Sequence, residues 1–209
     1  MAAIAAYKRS NSMLTVYKIY PQGFAANSYI VTADGKTCAV IDPGQPRVRD
    51  KCAELGLEPR GVLLTHGHYD HTGGCARFAR EGVPVYASAE EIAHMFTPAY
   101  AALGYPVQPF GPLPAGDKVS VAGIDFGVIP TPGHTSGGVC YLAEDCLFTG
   151  DTLFCEGVGR TDLPTGSAAQ IVAGIKKLYL LPGDYKVYCG HGEDTTLSHE
   201  RACNPYVRG

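Results

Sequence analysis

The segment THGHYDH at 65–71 limits what this 209-residue chain can fold into more than any other segment. It contains three histidines and one aspartate, and it follows a short, continuously apolar run that predicts a strand buried on both faces over 61–65. Imidazole and carboxylate groups are common ligands of zinc, iron and manganese. Alternate residues on extended backbone point the same way, so the spacing suits a loop that wraps a metal. The segment therefore predicts a metal site at the end of a buried strand.

Three more residues of the same chemical types follow glycines at the ends of predicted strands. They are His134 in TPGHTSG, Asp151 in FTGDTLF and His191 in CGHGE. Loops at strand ends are where a rigid scaffold presents functional side chains. A histidine beside glycine is common in turns and indicates little alone, but together with 65–71 these residues complete a set of candidate ligands. His94 and His199 lack such a setting and are expected to face solvent or to cap a helix end.

The composition predicts a soluble globular protein that is long enough to bury a sizeable core. Hydrophobic residues make up 45% of the chain and charged residues 18%. The formal net charge of −3 disfavours a nucleic-acid partner, because such surfaces usually need a basic stripe. No apolar run approaches the roughly 20 residues that span a bilayer. We therefore expect no nucleic-acid and no membrane partner.

The eight cysteines are scattered and form no Cys-x-x-Cys pair. Several, such as Cys38 and Cys189, lie in apolar runs, where a reduced cysteine packs as a small hydrophobic residue. All of them, including Cys155 near the candidate site, are interpreted as packing residues in a reducing compartment. The N-terminal apolar stretch is too short for a signal-peptide core, and its positive charges follow it. These features predict a cytoplasmic protein.

Strands cluster with interspersed helices once in each half of the chain. Apolar, β-branched and aromatic runs predict strands over 14–20, 28–31, 37–41, 61–65, 83–87, 118–121, 124–129, 138–142, 146–149 and 186–189. Helices are predicted from Pro46 to Gly56, over 72–81, near 89–96, after a Ser167/Gln170 capping box, and near 197–202. The Pro- and Gly-rich segment 97–116 is predicted to be a loop. The pattern favours an α/β (α+β) fold with two mixed β-sheets covered by helices.

Residues 1–12 are interpreted as a ragged N-terminal extension or as sequence upstream of the true start, since Met13 opens the first convincing strand. No linker is recognisable after them, so residues 13–209 are expected to form a single domain. No segment has the pattern of a dimer interface, and the sequence makes no prediction of the oligomeric state.

The order of the candidate ligands resembles the metallo-β-lactamase superfamily over nearly the whole chain from Met13. The matching motifs are H-x-H-x-D-H at 66–71, G-H at 133–134, G-D at 150–151 and G-H at 190–191. The resemblance implies an αββα sandwich with a metal site at one edge between the sheets. It also implies two divalent metal ions, with zinc expected first and iron or manganese as alternatives.

The resemblance assigns the ligands residue by residue. For the first metal they are His66, His68 and His134. For the second metal they are Asp70, His71 and His191, with Asp151 bridging both. Asp70 and Asp151 are the candidate catalytic residues. Asp42 in the segment AVIDPG matches an aspartate of the family that orients the ligand loop.

Within the superfamily, GRTD at 159–162 resembles a segment of glyoxalase II-like hydrolases and of persulfide dioxygenases. In glyoxalase II the basic residue of this segment helps to bind the glutathione moiety, so Arg160 is the candidate substrate-binding residue. The alternative for Arg160 is a structural salt bridge, with Asp162 or with another residue. The end of the chain resembles short glyoxalase II-like proteins. Because 18 residues follow His191, we expect the helical C-terminal domain of full-length glyoxalase II to be absent.

These features favour a metal-dependent hydrolase of a small-molecule thioester, S-lactoylglutathione or a related acyl-thiol. Two cations can activate a shared water and polarise the substrate carbonyl. A thiol leaving group with a pKa of about 8.5 departs without a general acid, and no motif supplies one.

Two other interpretations remain open. One is a persulfide dioxygenase that binds a single Fe(II) through His66, His134 and Asp151. The other is a metal-binding or sensor module that is not an enzyme. A secreted β-lactamase is disfavoured because no export signal is recognised, and a nuclease is disfavoured by the missing additional domain and the acidic balance.

Overall fold

Two six-stranded β-sheets form the centre of the protein in the computed structural model, which describes residues 14–95, 97, 111–114 and 116–209. The strands of the first sheet are β1 (Thr15–Ile19), β2 (Ser28–Thr32), β3 (Thr37–Ile41), β4 (Glu58–Leu63), β5 (Val85–Ala87) and β6 (Gly111–Pro112). Their order in the sheet follows the chain. The pairs β1–β2 and β2–β3 are antiparallel and the rest are parallel, so the sheet is mixed.

The second sheet comes from the second half of the chain and is also mixed. Its strands are β7 (Lys118–Val121), β8 (Ile124–Pro130), β9 (Val139–Ala143), β10 (Cys146–Gly150), β13 (Lys186–Cys189) and β14 (Thr195–Thr196). The order in the sheet is β14-β13-β10-β9-β8-β7, with a parallel pair between β10 and β13. A separate antiparallel pair consists of β11 (Leu153–Phe154) and β12 (Gly157–Val158).

Helices cover the outer faces of both sheets. Those among the described residues are α1 (Arg47–Glu54), α2 (Tyr69–Thr72), α3 (Cys75–Arg80), α4 (Ala89–Met95), α5 (Ala168–Tyr179) and α6 (Leu197–Cys203). Buried side chains of α1 and α3 pack on the first sheet, and those of α5 and α6 pack on the second. The layers are therefore helix, sheet, sheet and helix.

Central strands of the sheets are apolar on both faces, because one face packs on the other sheet and the opposite face packs on helices. In β2, Tyr29 and Val31 contact the second sheet, whereas Ile30 between them packs with the helix layer. Successive side chains of a strand point to opposite faces, so a strand covered on both sides reads as a continuous apolar run. The predicted fold of two mixed sheets covered by helices is confirmed.

The strand predicted over 61–65 is displaced towards the N-terminus. It spans Glu58–Leu63 as β4, so Thr65 belongs to the ligand loop. The reason is that the backbone N–H of Thr65 donates to the carboxylate of Asp42, at 2.8 Å, instead of to a neighbouring strand.

The helix predicted over 72–81 is in fact two helices, α2 and α3, separated at Gly73 and Gly74. A Cβ atom on Gly74 would lie 2.6 Å from the carbonyl oxygen of Pro43, so the chain passes close to another loop here. Because α2 begins at Tyr69, Asp70 lies on a helical turn and the ligand segment is extended only in its first half.

Other predictions are corrected in detail. Ser167 caps α5 by accepting from the Gln170 N–H, but its own N–H donates to Gly133 O rather than to a Gln170 side chain, so the capping box is only half formed. The pairs β11–β12 and β13–β14 were not predicted. All eight cysteines are free, and Cys155 is exposed, so its assignment to packing is wrong; Cys203 is exposed as well.

Some predictions fall outside the described residues. They are the extension over 1–12 and most of the loop 97–116, of which 111–112 forms β6. The single domain over 13–209 stays a prediction. None of the helices formed by the described residues is long and apolar enough to span a membrane.

Candidate metal centre

All seven side chains predicted as metal ligands lie together at one edge of the two sheets. They form two groups, and within each group one ligand atom per residue lies within 4.8 Å of the others. The first group is His66, His68 and His134. The second group is Asp70, His71, Asp151 and His191. Both groups consist of donors that zinc, iron and manganese accept.

Strand directions explain why separate loops converge here. Strands β8 and β10 both run antiparallel to β9, and β13 runs parallel to β10. The carboxyl ends of β8, β10 and β13 therefore lie at the same edge, where His134, Asp151 and His191 follow them. The loop after β4 joins this edge through Thr65 O, which accepts from the Val139 N–H at 2.9 Å.

Asp42 connects the two groups through hydrogen bonds. It directly follows β3, and its side chain is buried. Its Oδ1 accepts from the Thr65 N–H at 2.8 Å, and its Oδ2 accepts from Thr65 Oγ1 at 2.6 Å and from His71 Nδ1 at 2.8 Å. Since the Thr65 hydroxyl donates to Asp42, it accepts from His66 Nδ1 at 3.1 Å. One carboxylate thus orients a histidine of each group.

These hydrogen bonds use the Nδ1 atoms of His66 and His71 and leave their Nε2 atoms facing the centre, available for a cation. Because His66 and His71 carry a proton on Nδ1, Nε2 has the lone pair in their neutral form. His134 Nδ1 donates to Arg160 O at 2.7 Å, and its Nε2 faces the first group, where it lies 2.9 Å from His68 Nδ1. His66 Nε2 is buried and has no hydrogen-bond partner among the residues that the structure describes. Such an atom is unfavourable unless it binds something, so the residues fit a divalent metal ion.

Asp151 lies between the two groups. Its Oδ1 is 3.1 Å from His71 Nε2, and its Oδ2 is 3.4 Å from His134 Nε2 and 3.5 Å from His191 Nε2. Burial alone would raise its pKa, but the charge of His71 and the hydrogen bond from His191 hold the pKa well below its usual value. An ionised carboxylate that faces both groups could contact two cations at once.

The histidines of the first group are electrostatically suited to metal binding. Burial and the neighbouring imidazoles lower the pKa of His66, and they lower that of His68 to about 4. Burial also lowers the pKa of His134. These side chains are neutral at neutral pH, which is the form of imidazole that binds metals.

The second group is surrounded by negative charge instead. Burial lowers the pKa of His71, but the charges of Asp151 and Asp42 outweigh it and raise the pKa well above its usual value. Hydrogen bonds to Asp151 and Asp70 raise the pKa of His191 to about 9. A site with this many carboxylates attracts positive charge, either a proton or a cation.

One side of the centre is open to solvent. The side chains of His191 and Asp70 are 40% and 29% exposed, whereas that of His71 is fully buried. The aromatic rings of Tyr69 and Phe24 are exposed in the adjoining segments, and Ala26 N–H connects these segments by donating to Asp70 O at 2.9 Å. A substrate would approach from this side.

The glycines that precede the ligands are required by close packing. A Cβ atom on Gly190 would overlap with Asp151 Oδ1 and would lie 2.8 Å from His71 Cε1. Gly150 has a φ of +48°, and a Cβ atom on it would overlap with the Thr65 hydroxyl. Glycine at 190 and 150 therefore lets the backbone approach two ligands and the Thr65 hydroxyl.

The Arg160 side chain lies outside the two groups. Its guanidinium group forms a bidentate ion pair with Asp162, with both N···O distances at 2.7 Å, and both side chains are exposed. The structure therefore contains the salt bridge that was the alternative for this residue. Its backbone carbonyl is the part of Arg160 that contacts the centre, through His134.

Two positioning residues were missed by the sequence analysis. The Thr65 hydroxyl donates to Asp42 and accepts from His66, so it connects the two side chains. Its role could have been suspected from its place beside the ligand motif. Asn27 Nδ2 donates to the carbonyls of Cys189 and Gly192, at 3.0 Å each, and so holds the loop of His191. Asn27 is 162 residues away from Cys189, and no local pattern signals this contact.

The other two histidines lie elsewhere, as expected. His94 is in the last turn of α4, with Nε2 3.9 Å from Glu90 Oε1. His199 is in the first turn of α6, and its ring contacts Glu156 at 3.0 Å.

An αββα sandwich with a histidine and aspartate centre at its edge defines the class of protein. The sequence profile of the metallo-beta-lactamase superfamily matches residues 21–191, and the chain belongs to this superfamily. A probable metallo-hydrolase of Streptococcus pyogenes serotype M6 is 33% identical over 93% of this chain and 90% of its own length. The hydroxyacylglutathione hydrolase GloC of Haemophilus influenzae is 33% identical over 88% of this chain and 93% of its own length. The chain is a metal-dependent hydrolase of this superfamily.

Solved structures agree with this assignment. The B3 metallo-beta-lactamase BLEG-1 superposes with a TM-score of 0.83 at 31% identity, covering 93% of this chain and 100% of that one. The protein TTHA1623, solved in a di-iron-bound form, superposes with a TM-score of 0.79 at 32% identity, covering 91% and 100%. The predicted sandwich is confirmed by these similarities.

Proposed function

We propose that this protein is a dinuclear metal-dependent thioesterase that hydrolyses S-lactoylglutathione or a related acyl-thiol. The observation that carries the proposal is the pair of adjoining ligand groups with Asp151 between them. His66, His68 and His134 would hold one cation. Asp70, His71 and His191 would hold the other, with Asp151 placed to serve both groups. Zinc is the first choice of metal, with iron or manganese as alternatives.

The chain's own residues prepare the site for this reaction. When bound, two divalent cations lower the pKa of a shared water and polarise the substrate carbonyl. Asp42 and Thr65 hold the imidazoles with Nε2 towards the cations, so little reorganisation is needed during the reaction. Asp70 lies at the open side of the centre, and with Asp151 it is the proposed catalytic pair.

A thioester suits this site better than an amide. A metal-binding carboxylate is ionised, so Asp70 and Asp151 can accept a hydrogen bond but cannot protonate a leaving group. A thiol with a pKa of about 8.5 leaves as a thiolate and needs no such proton. The name of the Haemophilus influenzae relative supports a glutathione thioester in particular.

The proposal is tested by metal content and substrate choice together. We expect two metals per chain in protein purified without a metal-affinity tag, and hydrolysis of S-lactoylglutathione without oxygen uptake. The measurements are elemental analysis and thiol release, with oxygen consumption on glutathione persulfide as the comparison. A single iron after reconstitution, with oxygen uptake, would establish the dioxygenase instead and would leave Asp70, His71 and His191 without a ligand role. Bound metal with neither activity would favour a module that is not an enzyme.

We propose that Arg160 contacts a glutathione carboxylate when substrate displaces Asp162. The change Arg160→Ala should then raise the KM for S-lactoylglutathione about five- to tenfold with little change in kcat, because a charge-assisted contact at an exposed site contributes modestly. Its backbone bond to His134 is unaffected by the substitution. Arg60→Ala is the matched control, since Arg60 is also exposed and pairs with a carboxylate two residues away, Glu58, at 2.8 Å. Equal KM values in the two variants would show that Arg160 serves only its ion pair.

A cytoplasmic location, a small-molecule partner, and the absence of nucleic-acid and membrane partners remain parts of this proposal. The small-molecule partner rests on the glyoxalase II-like resemblance and the location on the scattered cysteines. The other two expectations rest on the net charge and on the length of the apolar runs.

A further inference from the structure

Helix α4 packs against both loops that carry the first ligand group. The Ser88 hydroxyl caps the helix by accepting from the Glu91 N–H at 3.0 Å, and it donates to Gly137 O at 2.6 Å in the loop after His134. At the other loop, a Cβ atom on Gly67 would lie 2.8 Å from Met95 Cγ. The helix therefore fits between the two loops with little spare space.

Glu91 connects the two loops directly. Its side chain is fully buried, with Oε1 accepting from the Gly67 N–H at 2.9 Å and Oε2 accepting from Thr135 Oγ1 at 2.7 Å. Gly67 separates His66 from His68, and Thr135 follows His134. The Glu91 carboxylate thus connects the backbone between His66 and His68 to the residue that follows His134.

A buried carboxylate is a costly way to fill space. Burial raises the pKa of Glu91, which reflects the penalty on its charged form. An apolar side chain would pack at this position without that penalty. What the carboxylate provides is two acceptors that hold loops from different sheets at a set separation.

We propose that Glu91 is a positioning residue that sets the affinity of the first metal group by holding His66, His68 and His134 in register. It acts through Gly67 and Thr135 and does not contact the metal. This inference rests on the proposed metal binding by the three histidines and is independent of the substrate.

The test measures Co²⁺ affinity at each group separately. His191→Ala weakens the second group and keeps the first, whereas His134→Ala does the reverse. Glu91→Ala and Glu91→Gln are introduced into both backgrounds, and Co²⁺ is titrated by its absorption spectrum in competition with a chelator. The glutamine should act as a rescue, because its carbonyl accepts from Gly67 and its amide can donate to Thr135 Oγ1.

The matched control is Glu200→Ala. Glu200 is equally buried and also accepts from a backbone N–H, that of Glu156 at 3.0 Å, and from a hydroxyl, that of Thr195 at 2.7 Å, with a further bond from Asn204 Nδ2 at 2.8 Å. Its removal should lower the melting temperature as the removal of Glu91 does, but without weakening metal binding.

We expect Glu91→Ala to weaken Co²⁺ binding by about 10- to 100-fold in the background that keeps the first group. Affinity should be unchanged in the other background and close to the parent value for Glu91→Gln. Three results would overturn the inference. They are an unchanged Co²⁺ affinity of the first group in Glu91→Ala, an equal loss of Co²⁺ affinity at both groups, and an equal loss of Co²⁺ affinity in Glu200→Ala. Because no substrate is used, a parent protein that binds Co²⁺ but hydrolyses no thioester would contradict the proposed function and leave the role of Glu91 standing.

Discussion

Replacing Asp151 with alanine is expected to lower thioester turnover by about a thousandfold or more, because the cations contribute several kcal/mol and each 1.4 kcal/mol is about tenfold in rate. Asp151 is the residue whose oxygens face histidines of both groups. Its removal should therefore weaken both metal sites. The measurements are kcat and metal content per chain, with circular dichroism to show that the fold persists.

His66→Ala should lower turnover to a similar extent but should release only the first metal, since His66 belongs to that group alone. His199→Ala and Asp50→Ala are the matched controls, because both residues form ion pairs away from the centre. Turnover retained in either ligand variant would refute the assigned site. If both the ligand variants and the controls lost circular dichroism signal, the loss of turnover would be attributed to unfolding and not to loss of metal.

The isosteric change Asp42→Asn is expected to weaken both metal sites by about 10- to 100-fold. The side-chain carbonyl of the asparagine must accept the hydrogen bond from the Thr65 N–H. The NH₂ group of the asparagine therefore takes the place of Oδ2 and faces the Thr65 hydroxyl and His71 Nδ1. His71 must then accept at Nδ1, which moves its proton to Nε2. The Thr65 hydroxyl turns to donate to His66, whose proton also moves to Nε2. One substitution thus places protons on two nitrogens that should bind metals.

Chelator competition on the metal-loaded protein measures this effect, and NMR of the imidazole nitrogens in the metal-free protein detects the tautomer change. Asp34→Asn is the control, because Asp34 also accepts several hydrogen bonds, among them those from the N–H groups of Lys36 and Thr37, both at 2.8 Å, but lies in an exposed turn. Unaltered tautomers and affinities in Asp42→Asn would show that Asp42 contributes packing and not orientation.

Much of the fold could be predicted from local patterns. The alternating and continuous apolar runs predicted most of the central strands, and the cap at Ser167 marked the start of α5. The errors occur where a tertiary contact replaces a local one. Thr65 lies outside the strand because its N–H donates to Asp42. Ser167 forms only half of a capping box because its N–H donates to Gly133 O.

The pairs β11–β12 and β13–β14 were missed because β11, β12 and β14 have only two residues each and carry too little pattern to be recognised. Cys155 was also misjudged, since its apolar neighbours lie on a short ribbon that leaves it exposed. Sequence windows report burial only when an element is long enough to show a period.

The amino-acid sequence by itself determined the kinds of ligands and their order, because histidine and aspartate beside glycine at strand ends have few other uses in such numbers. Hydrophobic periodicity, which is a local property, favoured two mixed sheets covered by helices, and the family resemblance implied the αββα sandwich. Only the tertiary structure decided how those ligands are held. The resemblance pointed to Asp42, but the hydrogen bonds that Asp42, Thr65, Asn27 and Glu91 form connect residues that only the fold brings together. Each hydrogen bond depends on positions set by strand pairing and helix packing, and a one-dimensional pattern does not contain that information.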